Sequence, residues 1–162
     1  MITCRQWLIV ALILLLVPVV SHAGSFDGTT PLVCAVSESI ECGPGGECLS
    51  VTPESLDFPR FFLVNFETKK MTTLAGIGVQ QTSDIERVER VEKKLILQGA
   101  EDSREDVRDA VGWSMAISET SGMMTLTASG DEAGFVLFGA CIPQDLAVKK
   151  SAEAKASESK QN

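Results

Sequence analysis

Between residues 112 and 141, apolar and polar positions alternate with the two-residue period of a β-strand. Trp113, Met115 and Ile117 stand against Ser114, Ala116 and Ser118, so one face is buried and the other faces water. Glu119-Thr120-Ser121-Gly122 follows, ending in a glycine able to take the positive φ of a type I turn with a G1 bulge. Residues 123–128 run back, and Ser129-Gly130-Asp131-Glu132 reverses the chain again before Gly134-Phe135-Val136-Leu137-Phe138-Gly139. This last run is apolar at both parities, which places it inside a sheet or under a covering element.

The same reading extends upstream. Residues 32–40 alternate as a first strand, and residues 49–59 form a connection punctuated by Pro53 and Pro59, with one helical turn at Ser55-Leu56-Asp57. Residues 60–66 form a strand with Phe62, Val64 and Phe66 on one side and Phe61 and Leu63 on the other. Glu67-Thr68-Lys69-Lys70 turns the chain into a strand over 71–75, and 77–83 is a polar, glycine-containing loop. Charges alternate in Ile85-Glu86-Arg87-Val88-Glu89-Arg90-Val91, which suits an edge strand that pairs with residues 94–98 across Glu92-Lys93. That turn lacks the glycine or asparagine of a tight hairpin. Residues 101–109 form a charged loop or short helix; their acidic cluster has no EF-hand spacing and is crossed by Arg104 and Arg108, so it reads as a solvated charge run and not a calcium site.

About eight short strands with hairpin-length connections predict an all-β fold, an antiparallel meander forming a small barrel or curled sheet. A barrel of that strand number has room for packed side chains or for one small ligand.

Residues 1–23 have the build of an export signal. Arg5 supplies the positive start, an apolar run extends from Trp7 to Val20, and Ser21-His22-Ala23 is a small-x-small cleavage site. The run is short for a membrane span, which takes about 20 residues. A single β domain over 24–143 and a disordered Ala-, Lys-, Ser- and Glu-rich tail over 144–162 would remain, with no membrane span.

Processing changes the chemistry. The chain has one histidine, His22, and no tyrosine, so the mature domain would lack an imidazole. Ser-His-Asp and Cys-His nucleophilic systems and histidine-based metal sites are then excluded. Neither a metal nor another cofactor is expected. Between Gly24 and Pro143 there are 19 acidic and 9 basic residues, a balance unsuited to nucleic acid or anionic lipid. Carboxylates in neighbouring turns, such as Glu119 and Asp131, leave a carboxylate-dependent enzyme as the least favoured alternative to a non-enzymatic protein.

Four cysteines remain after processing: Cys34, Cys42, Cys48 and Cys141. An even count in an exported domain argues for disulfides, of which three pairings are possible. Gly43-Pro44-Gly45-Gly46-Glu47 is flexible enough to close a small Cys42–Cys48 ring, leaving Cys34 to clasp Cys141. A thioredoxin-type motif fails because Gly45 stands where the second cysteine belongs, and the paired CxxC spacing of zinc ribbons is missing.

Two binding functions follow. In the first, the domain is a monomeric, non-enzymatic interaction module for an envelope protein. In the second, it carries a small apolar ligand in the barrel, lined by Trp113, Phe62 and Phe138. The plainer role for Trp113 is a core anchor.

Cys42-x5-Cys48, Phe58-Pro59-Arg60-Phe61, Leu95-Ile96-Leu97-Gln98-Gly99, Gly112-Trp113-Ser114 and Phe138-Gly139-Ala140-Cys141 together resemble a group of uncharacterised exported proteobacterial proteins. The likeness runs from Leu32 to Cys141, and the closing Trp-to-Cys block is its most specific part. It implies a periplasmic location and no particular activity. The chain departs from that group at Glu92-Lys93, where Asp-Gly is expected, and in a longer charged loop before Trp113.

Overall fold

The structure, a computed structural model, describes residues 26–74, 81–101, 110–145 and 147–148. Among these residues, ten antiparallel strands form one curled sheet, a half-barrel: β1 Leu32–Cys42, β2 Cys48–Val51, β3 Phe61–Asn65, β4 Lys70–Thr73, β5 Thr82–Asp84, β6 Arg87–Val91, β7 Lys94–Glu101, β8 Val111–Ser118, β9 Met123–Ser129 and β10 Gly134–Pro143. The expected eight are present, and β2 and β5 are additional. A 3-10 turn, Pro53–Leu56, lies where a helical turn was expected. The predicted signal, the loop over 102–109 and most of the tail lie outside the described residues, although Gln144, Asp145, Ala147 and Val148 take helical backbone.

The order is β5-β4-β3-β1-β10-β9-β8-β7-β6, with β2 paired to β1 off this path. β1 is the hinge of the architecture. One side pairs along its length with β10, while the other takes β3 on its first half and β2 on its second. Two meanders, β3-β4-β5 and β6 to β10, therefore extend from β1 in opposite directions. The edge strands β5 and β6 are separated in the chain by only Ile85 and Glu86. The three residue steps from Asp84 to Arg87 span at most about 11 Å, so the sheet must curl until these two strand ends lie close together. Backbone hydrogen bonds hold the link on both sides, Ile85 N–H to the Lys69 carbonyl at 2.8 Å and Glu86 N–H to the Gln98 carbonyl at 2.9 Å.

Cross-strand register stacks the inward residues into rows. Leu95, Ile117 and Met124 form one row, and Leu97, Met115, Leu126 and Leu137 the next; all are buried. Trp113, Ala128 and Phe135 form a third row nearer one end. Gly99, opposite Trp113, has no room for a side chain: a β-carbon would lie 2.4 Å from the Asp84 carbonyl oxygen and 2.5 Å from the indole ring. That glycine lets β5 and the tryptophan close in on β7.

Both predicted disulfides are formed, Cys34–Cys141 and Cys42–Cys48. Each joins residues directly opposite in the ladder, on β1 and β10 and on β1 and β2 respectively. Gly122 adopts φ 70° with its N–H bonded to the Ser118 carbonyl, as the hairpin pattern required.

Candidate functional site

The third row does not fill its end of the half-barrel. A half-open cavity of about 280 Å³ lies there, bounded by β3, β4, β5, β7, β8, β9 and β10 and flanked by a cap segment, Leu56-Asp57-Phe58-Pro59. Its walls are Phe62, Met71, Trp113, Leu126, Phe135 and Leu137. Phe58 meets Phe62 edge to face, with centroids 5.6 Å apart and planes at 83°, so the cap presents an aromatic ring to the interior.

Each wall residue is aimed by strand parity. Phe62 pairs with Cys34 and shares its face, and Cys34 is bonded to Cys141, so Phe62, the disulfide and Leu137 all point inward. Of the three ligand candidates from the sequence, Trp113 and Phe62 line the cavity. Phe138 does not. It is offset by an odd number of residues from Cys141 on the same strand, faces outward and is 37% exposed; Phe135 and Leu137 take the place expected of it. Cysteine parity was the available signal: once Cys141 points inward, residues 135, 137 and 139 must share its face.

The polar groups are few. Trp113 Nε1 donates to Ser83 Oγ at 3.1 Å, with both residues buried. Thr73 Oγ1 donates to the Gln81 carbonyl and accepts from its N–H, so its hydroxyl is spent on the backbone. Asp57 and Glu101 contribute exposed carboxylates, and none of the described residues lining the cavity is basic. Arg60 holds the cap through a two-pronged bond to Glu54, Nε to Oε1 at 2.8 Å and Nη2 to Oε2 at 2.9 Å. The guanidinium bond, aided by a backbone hydrogen bond, keeps the Glu54 carboxyl below its ordinary value of 4.5.

Glu119 and Asp131 cannot work as a pair. They occupy the turns at opposite ends of β9, roughly 20 Å apart at about 3.3 Å per residue, and Glu119 is bound to Arg90. Among the described residues, no group of three or more His, Cys, Asp or Glu side chains is placed to hold a metal ion, and no helix is long and apolar enough to cross a membrane.

The outer face carries a second apolar feature. Phe61, Ala35, Ala140 and Met123 are successive cross-strand neighbours over β3, β1, β10 and β9, with Ile142 beside them. Phe61, Met123 and Ile142 are exposed.

No family model matches this chain, and neither a curated protein nor a solved structure does. The functional reading therefore stands on the chemistry of the cavity itself.

Proposed function

We propose that this protein is an exported, non-enzymatic binding module that carries a small apolar ligand within the half-barrel. The supporting observation is the cavity of about 280 Å³ walled by Phe62, Met71, Trp113, Leu126, Phe135 and Leu137. Small-molecule sites are concave, apolar and sparingly polar, as this one is. A cavity of about 150 Å³ in another protein accepts benzene, so this one suits a molecule of about two rings or a short branched chain. Export is supported by the two disulfides, which persist in oxidising compartments, and by the signal-like residues 1–23; in a cell with two membranes the compartment would be the periplasm.

Native mass spectrometry of protein purified from its source is the test. The expected spectrum has an added mass that leaves on denaturation. Protein recovered without such a mass, and unable to take up naphthalene-sized hydrocarbons, would overturn the reading. If crosslinking in the cell envelope then recovered a specific protein, the outer strip around Phe61 and Met123 would become the site instead.

A further inference from the structure

The cavity also constrains which apolar molecule it takes. An indole N–H is a donor only, whereas a serine hydroxyl has one proton and two lone pairs. Trp113 Nε1 uses one lone pair of Ser83 Oγ. The Ser83 proton has no acceptor among the described residues, although Ser83 is 7% exposed and lines the cavity. Thr73, the other buried polar side chain of the lining, is already bonded to the Gln81 backbone. Among the described residues, the buried part of the lining therefore offers a ligand one unspent donor and no cation, the Thr72 and Gln81 side chains lying where the lining is only partly buried, while Asp57 and Glu101 place negative charge on it.

We infer that the ligand is a neutral, largely apolar molecule carrying one carbonyl or ether oxygen, which accepts the Ser83 hydroxyl proton while the hydrocarbon body packs on Trp113, Phe62 and Phe135. The inference rests on the carrier reading. An anionic amphiphile such as a fatty acid is disfavoured, because among the described lining residues its carboxylate would meet two like charges and no countercharge. A pure hydrocarbon would leave the hydroxyl unpaired, which costs affinity. The indole bond fixes the hydroxyl oxygen, so the donor is held in place before the ligand arrives.

The test titrates the full chain by calorimetry at pH 7 with three near-isosteric probes: 2-acetylnaphthalene, 2-ethylnaphthalene and 2-naphthoate. The ketone is expected to bind roughly three- to tenfold more tightly than the hydrocarbon, the yield of one neutral hydrogen bond, and more tightly still than the anion. Ser83→Ala is expected to bring the ketone down to the affinity of the hydrocarbon, and Ser83→Thr to retain the preference. The carbonyl stretch of the bound ketone, shifted to lower frequency in the unmodified protein, reads the same bond even if the alanine variant fails to fold. Equal binding of ketone and hydrocarbon, a preference that survives Ser83→Ala, or tightest binding of naphthoate would overturn this inference and leave the carrier reading standing. Binding of none of the three would remove the carrier reading as well.

Discussion

Trp113 on β8 and Ser83 on β5 are joined by a buried 3.1 Å hydrogen bond although their strands are six places apart along the sheet. The bond ties the two limbs of the half-barrel together beside the link at Ile85 and Glu86, and it forms one wall of the cavity. Trp113→Phe keeps a ring in the site but removes the donor and part of the packed surface. It is expected to lower stability by about 2–3 kcal/mol, combining an unmet buried hydroxyl with lost apolar contact. Urea unfolding followed by circular dichroism would measure the loss. A change under about 0.5 kcal/mol, the range of an ordinary surface substitution, would mean that the two limbs are held together by other contacts.

The two disulfides should differ in weight. Cys34 and Cys141 are separated by 107 residues and Cys42 and Cys48 by 6. On the chain-entropy model the long loop restricts the unfolded chain by about 4–5 kcal/mol and the short one by about 2 kcal/mol. Replacing Cys34 and Cys141 together by alanine should therefore lower the unfolding midpoint about twice as far as replacing Cys42 and Cys48. Equal midpoint shifts in non-reducing urea titrations would contradict that ranking.

How much of this could be read from the sequence depends on the kind of signal. Alternation in Trp113, Met115 and Ile117 identified a strand and its buried face because water contacts only one side of the sheet there. Alternation said less about β10, where both parities are apolar, and the outward position of Phe138 follows only once Cys141 is known to bond inward. β2 was missed because a short edge strand needs little apolar pattern: Leu49 is 68% exposed, and β2 is fixed by the Cys42–Cys48 ring and backbone pairing. β5 was missed for a similar reason, since Thr82-Ser83-Asp84 reads as a loop until Trp113 supplies a partner for its serine. The cavity is a matter of volume left over between side chains, which local patterning does not encode.

Ser39 illustrates a different limit. A bulge between Val36 and Glu38 shifts the register of β1, so Ser39 lies opposite Leu137 on the inner face. It is 1% exposed, and its hydroxyl has no hydrogen-bond partner among the described residues. A buried hydroxyl without a partner costs roughly 1–3 kcal/mol of desolvation. Ser39→Ala removes that cost with little change of volume and is expected to raise stability by about 1 kcal/mol. Thermal unfolding would show it as a higher midpoint; a lower midpoint would mean that the hydroxyl is bonded in solution.

Acid should loosen the cap over the cavity. Folding holds the Glu54 carboxyl below 4.5, chiefly through the hydrogen bond from Arg60, so the unfolded chain takes up a proton first as pH falls. The stabilisation from this group is present above the ordinary carboxylate value and is lost as pH drops through the depressed folded value. Both side chains are about half exposed, so the effect is modest and screened by salt. Glu54→Gln should be less stable than the unmodified chain at neutral pH, and the difference should shrink as pH falls below 4.5. Following the side-chain carboxyl of Glu54 by NMR would check the direction; a midpoint at or above 4.5 would contradict the pairing with Arg60.

The hairpin between β6 and β7 closes with a two-residue loop, because Val91 pairs with Lys94. The two residues between them, Glu92 and Lys93, both have positive φ, 43° and 66°. This is the type I′ arrangement, whose twist matches that of the strands and which ordinarily takes Asn-Gly or Asp-Gly. Left-handed backbone costs a residue with a β-carbon roughly 1–2 kcal/mol, so the turn is imposed on this sequence by the pairing on either side. The Lys93 carbonyl accepts the Glu119 N–H at 2.9 Å, a backbone bond that survives any substitution and fixes the turn against β8. Replacing both residues, Glu92→Asn with Lys93→Gly, should therefore relieve strain without moving the hairpin. A gain of about 1–2 kcal/mol is expected, and for a domain of this size that corresponds to an unfolding midpoint higher by roughly 4–10 °C. Glu92→Ala with Lys93→Ala removes the same charges but keeps both β-carbons, so it should show little of the gain. If the alanine pair raised the midpoint as far as the Asn-Gly pair, charge and not backbone conformation would be the source of the effect.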